Sequence, residues 1–238
     1  MIKNIIFLFI LIPFYFTANA QYKDRESSFN YAGIGYSLVF FTNPDVSKIY
    51  PSIDLNNGSL MNELNAFYGF KISRNFAIEL ASSMLFAKAA RDIDGSYFTQ
   101  NGQTYWYKPQ DASLFALTID LKAKYYPFAR NNQSFPKDIY LSAGGGIMYV
   151  KEEYNSYLYS DSTYTGTFIG SSNDNNSSWF PNFVFSIGYM SGNYNFGYGL
   201  DIGYRIVPIS PDRATVLSSS NAGNYNALII SLKGLFNF

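Results

Sequence analysis

The 238-residue chain contains no cysteine and no histidine. Without cysteine no disulfide framework can hold an exported fold together, so hydrogen-bonded structure must suffice. Without histidine there is no imidazole to act as general base near neutral pH, which excludes serine–histidine acyl transfer and histidine–aspartate proteolysis. Charge is also scarce: charged residues make up 14% of the chain, and 17 Lys and Arg balance 17 Asp and Glu. Such a balance points neither to nucleic acid nor to a polybasic membrane tether. Beyond the first twenty residues no apolar run approaches the roughly 20 residues of a spanning helix. If the mature chain lies in a membrane, it must cross as a closed barrel.

The first twenty residues read as a secretory signal peptide. Lys3 precedes an apolar run from Ile5 to Phe16, and the small residues Ala18 and Ala20 follow, so cleavage is expected before Gln21. Pro13 interrupts the run, which argues against a membrane-anchoring helix. Removal of Lys3 leaves 16 cations against 17 anions, and residues 21–238 form the expected barrel domain.

Aromatic residues are abundant, at 19% of the chain. They recur with a period of two, the signature of strands with one apolar face. Eight such segments are legible, at Phe29 to Phe41, Leu60 to Ser73, Phe76 to Ala87, Ala112 to Phe128, Asp138 to Glu152, Trp179 to Met190, Tyr194 to Val207 and Asn224 to Phe238. The fourth is the clearest: Phe115, Leu117, Ile119, Leu121, Ala123 and Tyr125 line one face, and Thr118, Asp120, Lys122 and Lys124 the other. Connections alternate long and short, with tight turns at Ser73-Arg74-Asn75 and Ser191-Gly192-Asn193. An even strand count with short turns at one end and long loops at the other predicts an all-β, eight-stranded antiparallel up-and-down transmembrane β-barrel.

Period two alone also fits a soluble, lipocalin-like barrel with its apolar face turned inward. The polar face decides between them. A water-exposed exterior is normally dense in charge, whereas here that face is mostly Gly, Ala, Ser and Asn with isolated ions, which suits a cramped lumen. On the apolar face, Phe40, Phe86, Phe115, Tyr149 and Tyr204 mark one end of the strands and Phe70, Phe76, Tyr125, Tyr189, Phe236 and Phe238 the other. Two such rings read as interfacial girdles. The inward set then holds Glu63, Lys71, Glu79, Asp120, Lys122, Lys124, Asp201, Arg205 and Lys233. Isolated buried charges cost several kcal/mol, so a salt-bridge network is expected of Glu79, Asp120 and Asp201 with Lys122, Arg205 and Lys233.

The signal peptide, the alternating strands, the loop asymmetry and the ending Leu235-Phe236-Asn237-Phe238 together resemble the small outer-membrane β-barrel family of the OmpA, OmpX and OmpW type. The resemblance implies a barrel set in outer-membrane lipid whose final strand is recognised by the barrel-assembly machinery, a role that falls here on Phe236 and Phe238. Other motifs carry little. Asp92-Ile93-Asp94-Gly95 opens like a calcium loop, but Gln103 stands where the bidentate glutamate belongs. Asn57-Gly58-Ser59 and Asn176-Ser177-Ser178 match an N-glycosylation pattern common by chance in such loops. Gly144 to Gly146 lie within a strand with no helix after them, which indicates close packing rather than a phosphate cradle. The long connections hold many aromatics, among them Tyr105, Trp106, Tyr107, Tyr157 and Tyr159. Tyrosine among Ser, Gly and Asn is the composition of adaptable binding surfaces, although the same residues would serve strand pairs that lengthen the barrel above the membrane.

The expected function is that of a non-enzymatic integral outer-membrane barrel, with an envelope-structural role or an interaction with an extracellular ligand through its long loops. The alternative is a narrow channel for small or hydrophobic solutes, as in the OmpW-like branch of the resemblance. No cofactor, metal site or nucleic acid enters either reading.

Overall fold

A strand that places an apolar side chain outward and a small or polar one inward at every step can bury its backbone only by pairing on both edges. Here every barrel strand does so. The structure is a computed structural model that describes residues 29–51, 53–54, 59–60, 62–88, 96–129, 138–163, 166–192, 196–209 and 223–238. The expected signal peptide, the Asp92–Gly95 turn and Tyr164 lie outside these residues.

In chain order the elements are β1 (Phe29–Phe41), the helix α1 (Pro44–Ile49), β2 (Ile53–Asp54), β3 (Ser59–Leu60), β4 (Asn62–Lys71), β5 (Phe76–Lys88), β6 (Ser96–Gln100), β7 (Gln103–Tyr125), β8 (Ile139–Tyr159), β9 (Phe168–Gly192), β10 (Phe196–Ile206) and β11 (Ala227–Asn237). Eight of them form one antiparallel sheet in the order β5-β4-β1-β11-β10-β9-β8-β7, closed by pairing of β5 with β7. The remaining members are short: β6 hangs on β7, and β2 pairs with β3 alone. Closure between β1 and β11 runs from Tyr31 opposite Asn237 to Phe41 opposite Ala227. Asn30 and Phe238 extend it, exchanging backbone hydrogen bonds of 3.1 and 2.9 Å.

The side-chain alternation places Ile34, Leu64, Leu80, Leu121, Ile147, Phe183, Ile202 and Leu232 on the exterior. The same strands turn Ser37, Glu63, Glu79, Asp120, Asn182, Asp201 and Lys233 into the interior, where all are buried. Such an exterior can be covered only by hydrocarbon. Its aromatic borders are rings in contact. Phe86–Phe115, Phe115–Tyr149 and Tyr149–Trp179 lie 5.1, 6.4 and 5.0 Å apart at the loop end. Phe76–Tyr125 and Phe196–Phe236 lie 5.0 and 4.8 Å apart at the turn end. Small residues on the inner face leave room for rings from the neighbouring strand: a Cβ at Gly69 would enter the ring of its register partner Tyr31, and one at Gly188 would meet its register partner Tyr140 and Asp201. Gly144 and Gly146 likewise lie against the carbonyls of Leu121 and Ile119, the close packing expected of them.

Three strands outrun the rest. β7, β8 and β9 have 23, 21 and 25 residues, against 10 to 13 in the other barrel strands. Segments 103–111 and 153–178, assigned to loops by their polar composition, are therefore largely strand. Tyr107 of β7 pairs with Ser96 of β6 and with Leu158 of β8, and Tyr157 of β8 pairs with Ser171 of β9. Glu153 and Asn155 on the outward face are exposed while Glu152 and Ser156 on the other are buried, but neither face meets hydrocarbon, so neither needs the apolar alternation by which the barrel segments are recognised. Polar segments are free to pair there as well.

Leu232 lies midway along β11, opposite Tyr36 and Leu200. Leu232→Arg should cost about 2–4 kcal/mol of unfolding free energy in lipid vesicles, as for arginine at a bilayer midplane. A cost below about 1 kcal/mol would place this face outside hydrocarbon.

Candidate functional site

The lumen has three layers. At the turn end Tyr31, Phe67, Tyr126, Tyr140 and Leu235 form an apolar plug. At the loop end Val39, Phe41, Leu85, Leu114, Met148, Val150, Phe180, Tyr225 and Ile229 form a second. Helix α1 seals that plug. Asn43 precedes Pro44, a pairing suited to a helix start, and the Asn43 side-chain amide donates to the Asn224 carbonyl at 3.1 Å. The helix thereby sets Val46, and just after it Tyr50, into the plug, both essentially fully buried.

Between the plugs lies the charged layer, in two clusters. In the one nearer the loops, Arg205 binds Glu63 through two parallel hydrogen bonds, Nη1 to Oε2 at 2.6 Å and Nη2 to Oε1 at 2.9 Å. Two strands, β11 and β1, separate β10 from β4 in the sheet, so this pair spans the lumen. Beside it Asn182 Nδ2 donates to Asp120 Oδ1 at 2.6 Å, and the hydroxyls of Ser83 and Thr118 share a hydrogen bond of 2.6 Å. In the cluster nearer the turns, Lys124 pairs with Glu79, and Lys233 bridges Asp201 and Glu79, the latter at 3.6 Å. Tyr31 donates to Glu79 at 3.2 Å and Tyr140 donates to Asp201. The ammonium of Lys124 also stands 4.4 Å from the centre of the Tyr140 ring, and that of Lys233 stands 5.1 Å from the Phe67 ring, so the plug solvates the cations that it encloses.

Expectation and geometry agree on the pairing of Lys233 with Asp201 and Glu79 and differ on the rest. The partner of Arg205 is Glu63, and the closest cation to Glu79 is Lys124. Asp120 is held by an amide, and Lys122 has no ion pair or hydrogen bond among the described residues. The reason is depth. Lys122 stands in register with Glu79, but Lys124, one pleat nearer the turns, can reach the carboxylate while its ammonium rests on tyrosine rings. Inward parity marked Glu63 and Lys124 as lumen residues, but nothing in a linear pattern ranks partners across a barrel. Tyr31 and Tyr140, unmarked in the sequence, share the parity of these ions and could have been found by it. A cavity of about 40 Å³ opens beside Lys122, Asp120, Glu63 and Arg205, room for roughly two or three waters. Four carboxylates, Glu63, Glu79, Asp120 and Asp201, thus share the layer with four cations, Lys122, Lys124, Arg205 and Lys233, and the formal charges of the layer balance.

A closed, even-stranded antiparallel barrel with an apolar exterior, aromatic borders and an ionic interior has one architecture. The chain folds as an outer-membrane β-barrel. No family model matches it, and neither does any curated protein sequence. Among solved structures, it is similar to Ail, the attachment invasion locus protein of Yersinia pestis, at 11% identity over 90% of this chain and 99% of that one, with a TM-score of 0.41. A major outer membrane protein from Thermus thermophilus aligns over 90% of this chain and all of its own, at 10% identity and a TM-score of 0.44. Neisserial surface protein A aligns at 11% identity over 89% and 97%, with a TM-score of 0.41.

Of the aromatics singled out beyond the barrel, Tyr105, Trp106, Tyr107, Tyr157 and Tyr159 all lie on β7 and β8, and none is in a loop. Tyr97 of β6 stacks on Trp106 at 4.8 Å, and Phe168 of β9 contacts Tyr157 and Tyr159 at 5.6 and 6.2 Å. Phe236 and Phe238 are on the exterior and exposed.

Arg205→Met strands the buried Glu63 carboxylate and should cost about 3–5 kcal/mol of stability. Lys151→Ala, which breaks the exposed pair of Lys151 with Glu153, should leave the denaturation midpoint in place. Equal midpoints for Arg205→Met and wild type would show that the ion pair does not hold the lumen together.

Proposed function

We propose that this chain is a non-conducting, non-enzymatic outer-membrane barrel that stabilises the envelope and presents the β6–β9 sheet as an interaction surface. The observation that carries the reading is the double closure of the lumen: apolar plugs at both ends enclose a neutral ion layer. A solute path through such a column would have to strip ions from their partners and unseat Val46 and Tyr50. The absence of histidine and cysteine supports the non-enzymatic part. Its partners in this reading are membrane lipid around the apolar band, the assembly machinery at the outward aromatics Phe236 and Phe238, and an extracellular ligand at the projecting sheet.

Conductance in planar bilayers tests the closed lumen. The wild-type barrel should show no sustained openings, and Lys233→Ala should leave that baseline unchanged. Robust openings in wild type that Lys233→Ala alters would establish the channel instead.

A further inference from the structure

β8 carries aromatic residues on its outward face at two separate levels. The first is the girdle, where Tyr149 touches Trp179 and Phe115. The second begins eight residues further along the strand, at Tyr157, and the even spacing returns to the same face. There Tyr157, Tyr159, Phe168, Trp106 and Tyr97 form a row across all four strands of the extension. Trp106 is in register with Tyr159, and the other members touch as described above. Tyr97, Phe168 and Tyr157 are exposed by 61, 56 and 41%. The outward positions between the two levels are polar: Lys151 and Glu153, paired at 2.5 Å, then Asn155, with Asn173, Asn175 and Ser177 on β9.

Height determines what can cover the upper row. Eight residues of strand span about 26 Å, or about 20 Å along the membrane normal at the tilt of a membrane barrel. The headgroup zone of an ordinary bilayer is only about 5–7 Å deep on each side. The row therefore stands beyond phospholipid headgroups, yet it faces sideways along the membrane, on the surface continuous with the apolar band. Hydrocarbon cannot reach it, because the Lys151–Glu153 level lies between. A protein partner of ordinary size needs a contiguous apolar centre, which a single file of rings beside Asn and Ser does not provide. Sugar rings meet both requirements, with C–H faces that stack on aromatic rings and hydroxyls that pair with amides and charged groups.

We propose that this face binds the oligosaccharide head of glycolipid in the leaflet around the barrel, the aromatic row stacking on sugar rings and the Lys151, Glu153 and Asn155 level bonding to their hydroxyls. This rests on the reading of the β6–β9 sheet as an interaction surface. It is independent of the closed lumen, which conductance tests separately.

The chain has two tryptophans, Trp179 in the girdle and Trp106 in the upper row, so Trp179→Phe leaves a single reporter at the proposed site. The experiment compares this variant in phosphatidylcholine vesicles, in the same vesicles with lipopolysaccharide bearing its core sugars, and in vesicles with lipid A alone. Folding is verified in each case by heat-modifiable gel migration. Quenching by acrylamide, which is neutral and indifferent to surface charge, should fall several-fold only with the sugar-bearing lipid, with a blue shift of emission. Adding Phe168→Ala and Tyr97→Ala to the folded variant should abolish that protection. Equal quenching in all three vesicles would overturn the proposal. So would protection by lipid A alone, protection by free core oligosaccharide over phosphatidylcholine vesicles equal to that from the lipid, or protection that rises with protein density in the absence of sugar.

Discussion

A backbone amide in hydrocarbon has no water to turn to, so the sheet must close, and every other feature of this protein follows from that closure. Closing eight strands fixes the bore, and a narrow bore dictates what may point into it. Glycines stand where the rings of Tyr31 and Tyr140 lie over a neighbouring strand. The larger apolar inward residues are gathered at the two ends, where the rings and aliphatic chains of the plugs meet. The strands are held by their ladders, and the ladders hold because the lumen is filled.

Filling the lumen with ions is costly unless each is answered. Removing a charge from water costs several kcal/mol, which only close pairing and further hydrogen bonds offset. Most ions of the inner layer meet that condition by combining different kinds of contact: a two-point guanidinium–carboxylate pair across the bore, an ammonium shared by two carboxylates, tyrosine hydroxyls on Glu79 and Asp201 and aromatic faces under the cations. Lys122 differs in having none of these among the described residues. It lies beside the cavity with Asp120 as a near neighbour on its own strand, so its charge is balanced across the layer and not by direct contact.

The barrel was legible in the chain because one face of each membrane strand must be apolar, and that requirement writes a period of two. β1 and β5 were readable almost to the residue. The upper parts of β7, β8 and β9 were not, since Asn, Ser and Tyr in water pair as strands without any constraint on alternation. Helix α1 was missed for a related reason: six residues are too few to show a helical period, and only the neighbouring Asn43 and Pro44 hinted at it. In the lumen, inward parity identified Glu79, Asp120, Lys122, Asp201, Arg205 and Lys233 as interior. Which ions meet depends on depth and on distance across the bore, and neither is written in the order of residues along one strand.

The unequal strand lengths have a consequence within the plane of the membrane. A barrel of even height is much the same from every side, and a neighbouring molecule drifting past has no preferred approach. Here β7, β8 and β9 raise a wall over one arc of the rim, while β10, β11, β1 and β4 end low. The molecule therefore has a front and a back. In a crowded leaflet, neighbours must stand off from the wall, so rotation about the barrel axis is no longer free of cost. A circular cross-section thus acquires a compass direction, and any array of such barrels would inherit it.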